Sequence, residues 1–596
     1  MNREILLLFP PFSSRKNPYL SIPVLSEYLR RKNIPVVAED LGVQLWNRFF
    51  NHSNLCQGLE YVEEKFICLN ERKKLSFREM VEYTKSYRLL LALSGFKERS
   101  LDGLPDDLVL STIMARYFPE FYMEKPVNKF VSQYDEFSSR DVIDSVNHAF
   151  FYSSILDELI RDLLIDRKPL IAGISLVFSN QLFPAFYCAS LIRKYSPSTH
   201  ITIGGPYVTL HFREIHNPAI FDLVDSFIVD EGEIPLEKLF AELQQETPDF
   251  FRVPNLIWRD GKRIRKNQKA PPLELQTLPC PDYGVMPLNS YQGDRDKMVF
   301  SFRLSRGCYW RQCAFCRTDV SFCRDYAQPE YESVFTTLME AREKYNIANF
   351  MFSDESAHPN LLEYLSKKII SHKLDCTWFA HTRFHKSLTR ERFRLFKQAN
   401  CKSMILGLES YNNRVLRLMR KGITTGLVDE VLASNDGILP LKVYMIIGFP
   451  TETEEEARQG FNALQELVRE KKIDSCLYSL FNLSYGSDMW KNPERYGIRN
   501  VRTSQNRDLL PDIVDIDCDG MTREKLMNDL FWSVSLFPVT MPQVDELQVA
   551  GKRVKINYEF NSLMDVVKQH YYQGCTLPFV TWLETTDAEA RRGTTY

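Results

Sequence analysis

The sequence has few of the features that take a protein out of the cytosol. No apolar run approaches the ~18 residues that a membrane helix needs. The apolar run at residues 5–9 is too short for a signal peptide and is closed by Pro10 and Pro11. No lipidation motif is present. We therefore expect a cytoplasmic protein with no membrane partner.

The sequence also lacks an excess of charge of one sign. It has 75 basic and 77 acidic residues in 596, a formal net charge of -2. This balance, with no appended RNA-binding module, argues against nucleic acid as a partner. The length exceeds what one hydrophobic core supports, so several domains are expected.

A disulfide framework is not expected either. The cysteines number 13, an odd count, and there is no export signal. Ten are scattered, whereas Cys308, Cys313 and Cys316 fall within nine residues. Cys323 lies nearby, but no second CxxC and no histidine pair completes a zinc site.

Alternating strands and helices predict an α/β fold in two parts. Residues 1–270 read as a doubly wound (Rossmann-like) domain, interrupted by a mostly helical insertion at about 44–166. Prolines crowd residues 271–295, which predicts an extended linker. Residues 296–490 contain a second βα series, typical of a partial TIM-type barrel. Residues 491–596 form a C-terminal extension without a readable role.

The three clustered cysteines predict a metal site. Thiolates suit iron–sulfur clusters or zinc. Three ligands on a cubane leave one iron open to a substrate, which a closed electron carrier does not offer. Zinc and unligated core cysteines remain alternatives on spacing alone.

The segment Arg306-Gly307-Cys308, with Cys313 and Cys316, resembles the signature of the radical S-adenosylmethionine superfamily. Four residues separate the first two cysteines, where three is commonest in that family. Phe315 matches the aromatic residue before the last cysteine. The resemblance implies a 4Fe–4S cluster on the three cysteines.

Downstream strand ends resemble the same family. They carry Ser353-Asp354-Glu355, Arg383, Gly407-Leu408-Glu409-Ser410 and Gly448-Phe449-Pro450-Thr451-Glu452-Thr453. An acidic side chain would hold the methionine ammonium of S-adenosylmethionine and an arginine its carboxylate. The resemblance implies contacts to that cofactor from Phe315, Asp354, Glu355, Arg383, Gly407 and Glu409.

The first 270 residues, without the insertion, resemble the cobalamin-binding domain joined to many of these enzymes. There is no Asp-x-His-x-x-Gly to supply a histidine to cobalt, and no GxGxxG for a dinucleotide. The resemblance implies cobalamin contacts from residues at the strand ends: Pro10, Ser175, Leu176, Gly204, Gly205, Glu231, Gly232 and Glu233.

Together these resemblances imply an enzyme that cleaves S-adenosylmethionine reductively and methylates an unactivated carbon, with cobalamin as the methyl carrier. The substrate is a small molecule or a peptide, and the reductant an external protein such as flavodoxin or ferredoxin. Rearrangement, cyclisation or sulfur insertion with the same cofactors stays open. So does a non-catalytic cobalamin or redox sensor. No residue can be assigned to catalysis beyond cofactor binding.

Overall fold

The computed structural model describes residues 4–49, 122–124, 129–131, 134–148, 152–291, 294–317, 319–502, 507–511, 515–520, 547–549 and 552–554. The chain divides into two compact units, Met1–Thr522 and Arg523–Tyr596. Among the described residues, no helix combines the length and the apolar character that crossing a bilayer requires.

The first part of the chain forms a seven-stranded sheet, confirming the predicted doubly wound fold. Its strands lie in the order β2-β1-β5-β6-β7-β8-β9, where the first five are parallel and the last two antiparallel. β3 and β4 pair separately as a short antiparallel ladder within the predicted insertion. The strands are β1 Ile5–Phe9, β2 Val36–Asp40, β3 Tyr122–Glu124, β4 Lys129–Val131, β5 Ile171–Ser175, β6 His200–Gly204, β7 Ser226–Ile228, β8 Leu256–Asp260 and β9 Arg263–Lys266.

Helices cover both faces of this sheet, which is why β1 and β5 are unbroken apolar runs buried at every position. The helices are α1 Ser21–Arg31, α2 Leu41–Phe49, α3 Ser139–Ser145, α4 Ser153–Leu164, α5 Leu182–Tyr195, α6 Pro206–His211 and α7 Glu233–Glu242. The predicted insertion therefore contains α3, α4 and part of α2, but also β3 and β4, which the prediction did not include. Residues 50–121 of it lie outside the described residues.

The second part is a six-stranded parallel sheet in the order β10-β11-β12-β13-β14-β15, which confirms the partial barrel. Sequential order and parallel pairing are the geometry of a βα barrel. The strands are β10 Val299–Phe302, β11 Asn349–Phe352, β12 Thr377–Arg383, β13 Cys401–Glu409, β14 Leu441–Ile447 and β15 Ser475–Leu480.

Helices follow these strands and pack on their outer face. They are α8 Ser321–Arg324, α9 Tyr331–Tyr345, α10 Pro359–Ser371, α11 Arg390–Gln398, α12 Asn413–Leu418, α13 Thr425–Asn435, α14 Glu454–Arg469 and α15 Asp488–Lys491. A capping box between Thr453 and Glu456 begins α14, because the pair satisfies backbone N–H groups that the first turn leaves free.

The proline-rich segment 271–295 joins the two sheets, but it is packed rather than a free spacer. Tyr283 is fully buried, and its hydroxyl donates to the carbonyl of Ser301 on β10. Asp282 accepts hydrogen bonds from Arg30 of α1 and from Tyr345 of α9. A single hydrophobic core therefore runs from the first sheet through this segment into the barrel.

The C-terminal part of the chain is described in pieces. The antiparallel strands β16 Ile498–Arg502 and β17 Asp515–Cys518 lie in the first unit. Leu510 contacts the first sheet region, where its carbonyl is 2.6 Å from His211 Nδ1 and accepts its hydrogen bond. In the second unit, the described residues form the antiparallel pair β18 Leu547–Val549 and β19 Lys552–Val554.

Candidate active site

The three clustered cysteines lie in a loop that leaves β10 at its carboxyl end. All three are half-buried. Gly307 has φ +70°, and a Cβ there would be 3.1 Å from the Asp325 carbonyl oxygen, so the approach to Cys308 favours glycine. Among the described residues, no three His, Cys, Asp or Glu side chains converge closely enough to hold one metal ion. In a cubane, each of three thiolates would bind a separate iron.

Asp354 anchors the backbone that leads into this loop. Its carboxylate accepts hydrogen bonds from the N–H groups of Leu304 (3.0 Å) and Ser305 (2.5 Å) and from the Ser305 hydroxyl (2.6 Å). It is 2% exposed, and burial raises its pKa. Both oxygens are thus engaged within the protein, and the structure places Asp354 as a support for the loop.

Glu355, the next residue, follows β11 at the carboxyl end of the barrel strands and is not engaged in this way. It is exposed, and no hydrogen bond from a described residue reaches its carboxylate. Partial desolvation by the surrounding protein raises the pKa of Glu355, and the charge of nearby Arg303 opposes this rise. Arg303 follows β10 directly, is exposed as well, and has no ion pair within the described residues. Glu355 and Arg303 are therefore available to a polar ligand at the mouth.

Arg383 ends β12 beneath the cysteine loop. It is 5% exposed, and its guanidinium lies 4.2 Å from the ring centroid of Trp310, within the loop. One of its terminal nitrogens donates to the carbonyl of Lys421. Cation–π stacking of this kind fixes the guanidinium plane against the cluster-binding loop.

Lys421 and Glu409 form a buried ion pair beside the cysteines, with Nζ 2.9 Å from Oε1. Gly407 makes the pair possible, because a Cβ there would be 2.8 Å from both charged atoms. Burial opposes the ammonium, but Glu409 and Cys313 outweigh it, so the pKa of Lys421 is raised. Sequence reasoning included Glu409 and Gly407 but missed Lys421. Its one signal was a lysine in the short connection between α12 and α13.

The cations beside the cysteines favour the ionised thiols that a cluster requires. Burial raises the pKa of Cys313 to about 11, and Lys421 and Arg383 oppose that rise. A hydrogen bond with Cys323 lowers the pKa of Cys316 against the effect of burial. Three thiols with two cations behind them are a donor set that suits an anionic iron–sulfur cluster. Phe315 packs into a neighbouring apolar cluster with Ala314 and Met419.

The interior of the barrel is the space below this loop. Alternate strand residues such as Phe350 and Met404 are buried against the outer helices, whereas Tyr444 and Leu477 remain 37% and 41% exposed. His381 lies among them, with its ring centroid 6.1 Å from that of Tyr444. Burial lowers the pKa of His381, so its imidazole is neutral at physiological pH.

A second candidate site lies at the carboxyl edge of the first sheet, between the neighbouring strands β1 and β5. The chain continues from β1 to β2 on one side and from β5 to β6 on the other, which makes this a topological switch point. Ligands bind at such switch points in open parallel sheets. Ser175 donates its hydroxyl proton to Ser21, and the Pro10 carbonyl accepts from Gln181. The Leu176 N–H donates to the Gly204 carbonyl over 2.8 Å. Gly205 has φ +109°, and any Cβ there would collide with the Leu176 carbonyl.

At the carboxyl end of β7, the chain contacts the cysteine loop of the barrel. Glu231 binds Arg306 of the cysteine loop over 2.5 Å, so its carboxylate is engaged across the two sheets. Glu233 is buried at the start of α7, and burial together with Glu231 raises its pKa to about 7. Gly232 packs against Leu25 of α1.

Two polar atoms at the β1–β5 edge were missed by sequence reasoning. Ser13 Oγ and Asn180 Oδ1 are buried without a hydrogen-bond partner among the described residues. Buried polar atoms are nearly always satisfied, so such atoms at a switch point fit a ligand with polar side groups. An amide-fringed corrin has that chemistry. Tyr207 is buried and donates its hydroxyl proton to Glu136 rather than facing this edge.

Glu452 follows β14 in the segment that resembles a family motif. It is 4% exposed, accepts a hydrogen bond from the Gly448 N–H over 2.9 Å, and burial raises its pKa from 4.5 to about 7. The folded state therefore favours the protonated carboxyl. The stability that the protonated Glu452 carboxyl gives the folded state is fully present below 4.5, its pKa in the unfolded chain. It is lost as the pH rises through about 7, its pKa in the folded protein.

We therefore expect E452Q to gain stability relative to the wild type between about pH 5 and about pH 8, by up to about 3 kcal/mol. The measurement is the free energy of unfolding in urea at both pH values. E456Q is the matched control, because Arg414 holds the pKa of Glu456 at about 2 and this carboxyl stays ionised throughout. An E452Q difference that does not change with pH would show that Glu452 is ionised when folded.

Comparison with known proteins agrees with this geometry. Residues 302–463 match the Radical SAM superfamily. An uncharacterised methyltransferase of Pyrococcus horikoshii is 25% identical over 341 residues, which are 56% of this chain and 70% of that protein. The anaerobic magnesium-protoporphyrin IX monomethyl ester cyclase of Synechocystis sp. is 24% identical over 286 residues, which are 46% of this chain. The matched region spans 55% of the cyclase.

Among solved structures, one neighbour has a similar fold over most of its length. It is the radical S-adenosylmethionine methyltransferase TsrM from Kitasatospora setae, solved with cobalamin and a 4Fe–4S cluster bound. The TM-score is 0.54 at 16% identity, and the alignment covers 85% of this chain and 81% of TsrM. With the matched domain and the cysteine loop at the barrel mouth, the chain is a radical S-adenosylmethionine enzyme, with a 4Fe–4S cluster and S-adenosylmethionine as cofactors, in the fold of a cobalamin-binding member of that superfamily.

Proposed function

We propose that this protein is a cobalamin-dependent methyltransferase that acts on an unactivated carbon of a small-molecule or peptide substrate. The observation that carries the proposal is that the two candidate sites are in contact. The carboxyl edge of the first sheet is joined to the mouth of the barrel at the end of β7, where Glu231 pairs with Arg306 of the cysteine loop. When bound, the cluster would supply the electron that cleaves S-adenosylmethionine, and cobalamin would carry the methyl group.

Several residues then have defined tasks in binding. Cys308, Cys313 and Cys316 would hold the cluster, and Lys421 and Arg383 would compensate its negative charge. Glu355 has a free carboxylate at the barrel mouth and would hold the methionine ammonium. The proposal leaves Asp354 and Glu231 as supports, because hydrogen bonds within the protein already engage their oxygens.

The substrate would occupy the barrel interior, between the cluster loop and the first sheet. Neutral His381 and the half-exposed Tyr444 and Leu477 give this space a mostly apolar lining with a few polar atoms. Such a cavity shields a carbon radical from water. Reduction would come from an external one-electron donor of the flavodoxin or ferredoxin kind, which places the enzyme in the reducing cytoplasm.

The first test is the cofactor content of anaerobically reconstituted protein. We expect about four irons per chain and stoichiometric cobalamin after incubation with hydroxocobalamin. Iron without cobalamin would retain the radical enzyme and reject cobalamin as methyl carrier.

The second test is product analysis with methyl-deuterated S-adenosylmethionine and a substrate panel. A labelled methyl group in the product together with 5′-deoxyadenosine supports the proposal. Because one relative is a cyclase, a product without label but with 5′-deoxyadenosine would instead favour rearrangement or cyclisation. Absence of 5′-deoxyadenosine with an intact reduced cluster would support a sensor.

A further inference from the structure

The segment with the three cysteines is tied to the first sheet just before it begins. Arg306 lies two residues ahead of Cys308 and is 3% exposed. Its Nε donates to Glu231 Oε1 over 2.5 Å, and its Nη2 donates to the Leu273 carbonyl over 2.7 Å. The Leu273 N–H donates to Glu231 Oε2 over 3.1 Å. The Arg306 guanidinium, the Glu231 carboxylate and the Leu273 backbone are thus joined by three hydrogen bonds that close a ring. Each bond has at least one charged partner and is therefore stronger than a bond between neutral groups.

A second tie follows the cysteines. Arg317 comes directly after Cys316, and its Nη2 donates to the Leu210 carbonyl in α6 over 3.2 Å. Its Nε donates to Asp319 over 3.1 Å, and Asp319 also accepts from Arg213, which lies just beyond α6. The cysteine loop is therefore held from both ends by residues that follow strands of the first sheet.

These ties are strong enough to matter, since Arg306 is nearly fully buried. Losing one partner of a buried ion pair leaves an uncompensated charge, which is far more disruptive than losing an exposed pair. The Glu231 end belongs to the edge where β7 terminates, and the Leu210 end belongs to α6 after β6. A shift at this edge must move the backbone on one or both sides of the thiols.

We propose that the first sheet is part of the scaffold that retains the iron–sulfur cluster, and that the Arg306–Glu231 pair couples cluster retention to ligand occupancy of the sheet edge. Arg306 and Glu231 are positioning residues that act through the backbone of the loop. Coupling between two sites is reciprocal, so a ligand that orders the edge slows loss of the cluster. The retention part rests on the superfamily assignment alone, and the occupancy part rests also on the proposed cobalamin site.

The test measures the rate at which reconstituted full-length protein loses iron to an anaerobic ferrous chelator. We expect E231Q to lose iron on the order of tenfold faster than the wild type, although Glu231 lies 75 residues from Arg306 in sequence. E231D, which keeps the charge, should recover part of the retention. R306Q and E231Q/R306Q complete a double-mutant cycle, in which the double variant should be no worse than the worse single variant.

E237Q is the matched control. The Glu237 side chain is 25% exposed and that of Glu231 26%, but the Glu237 partners Tyr28 and Lys32 lie in and directly after α1 of the first sheet. We expect wild-type iron loss from E237Q. Equal retention in E231Q and the wild type, with far-UV circular dichroism unchanged, would overturn the proposal. If E231Q does not fold, the R213M variant tests the second tie, and wild-type retention there would overturn the role of the first sheet in retaining the cluster.

A second arm adds hydroxocobalamin before the chelator. Slower iron loss in the wild type and no slowing in E231Q supports coupling between edge and cluster. Equal slowing in both would reject the Arg306–Glu231 pair as the route. If the wild type binds no cobalamin, the proposed function fails, while the double-mutant cycle still decides the retention role by itself.

Discussion

Protein with Cys316 replaced by alanine is expected to incorporate no stable 4Fe–4S cluster and to form no 5′-deoxyadenosine above a protein-free control. Cys316 sits in the loop after β10, where each of three thiolates would hold a separate iron. Two ligands cannot keep a cubane with an open fourth iron, since every remaining position is exposed to chelation and exchange. The measurements are iron and sulfide per chain, the electron paramagnetic resonance signal after reduction, and 5′-deoxyadenosine by chromatography.

Two other cysteines serve as controls for this experiment. Cys376 is buried just before β12, at the opposite end of the barrel, and C376A should retain cluster and activity. Cys323 is in hydrogen-bond contact with Cys316 yet is not one of the proposed ligands. C323A should therefore keep iron near the wild-type amount. Iron loss from C323A equal to that from C316A would instead indicate a site with four cysteines.

Replacing Lys421 with methionine is expected to lower the free energy of unfolding by about 3–5 kcal/mol, because Glu409 is left as a buried charge without its partner. We also expect weaker binding of S-adenosylmethionine, since the ion pair lies against Gly407, one of the residues expected to contact that cofactor. Urea unfolding measures stability, and equilibrium dialysis of the reconstituted protein measures cofactor affinity.

The comparison variant for Lys421 is K402M, because Lys402 lies on the same strand as Glu409 but is exposed. It should unfold like the wild type. The double variant K421M/E409Q should recover much of the lost stability, since it removes both charges. Equal stability of K421M and K402M would contradict a structural ion pair. A loss of stability with unchanged cofactor affinity would restrict Lys421 to a structural role.

Local patterns in the sequence predicted the two sheets well. An unbroken apolar run such as residues 5–9 is typical of a strand buried on both faces, and the structure shows that burial. The segment with Cys308, Cys313 and Cys316 resembled the superfamily that the family comparison matched. These features depend on neighbours within a few residues, where backbone and side-chain periodicity determine the outcome.

The order of strands and the packing of the linker required the structure. Prolines at residues 271–295 predicted an extended spacer, because proline removes hydrogen-bond donors and stiffens the chain. The structure instead buries Tyr283 and Asp282 of this segment between the sheets. Side chains that make long-range contacts carry no local periodicity, so their burial was not readable from the segment itself.

The sequence by itself determined the α/β class, the cysteine loop at a strand end and most residues near the two candidate sites. Only the tertiary structure decided which of those residues are free to bind a ligand. Asp354 and Glu355 are adjacent, yet the Asp354 carboxylate is engaged by the backbone that leads into the cysteine loop, whereas that of Glu355 accepts no hydrogen bond from a described residue. Lys421 and Arg306 find their acidic partners 12 and 75 residues away. Such pairings arise from the juxtaposition of strand ends, which depends on how parallel strands assemble and not on the residues beside each charge.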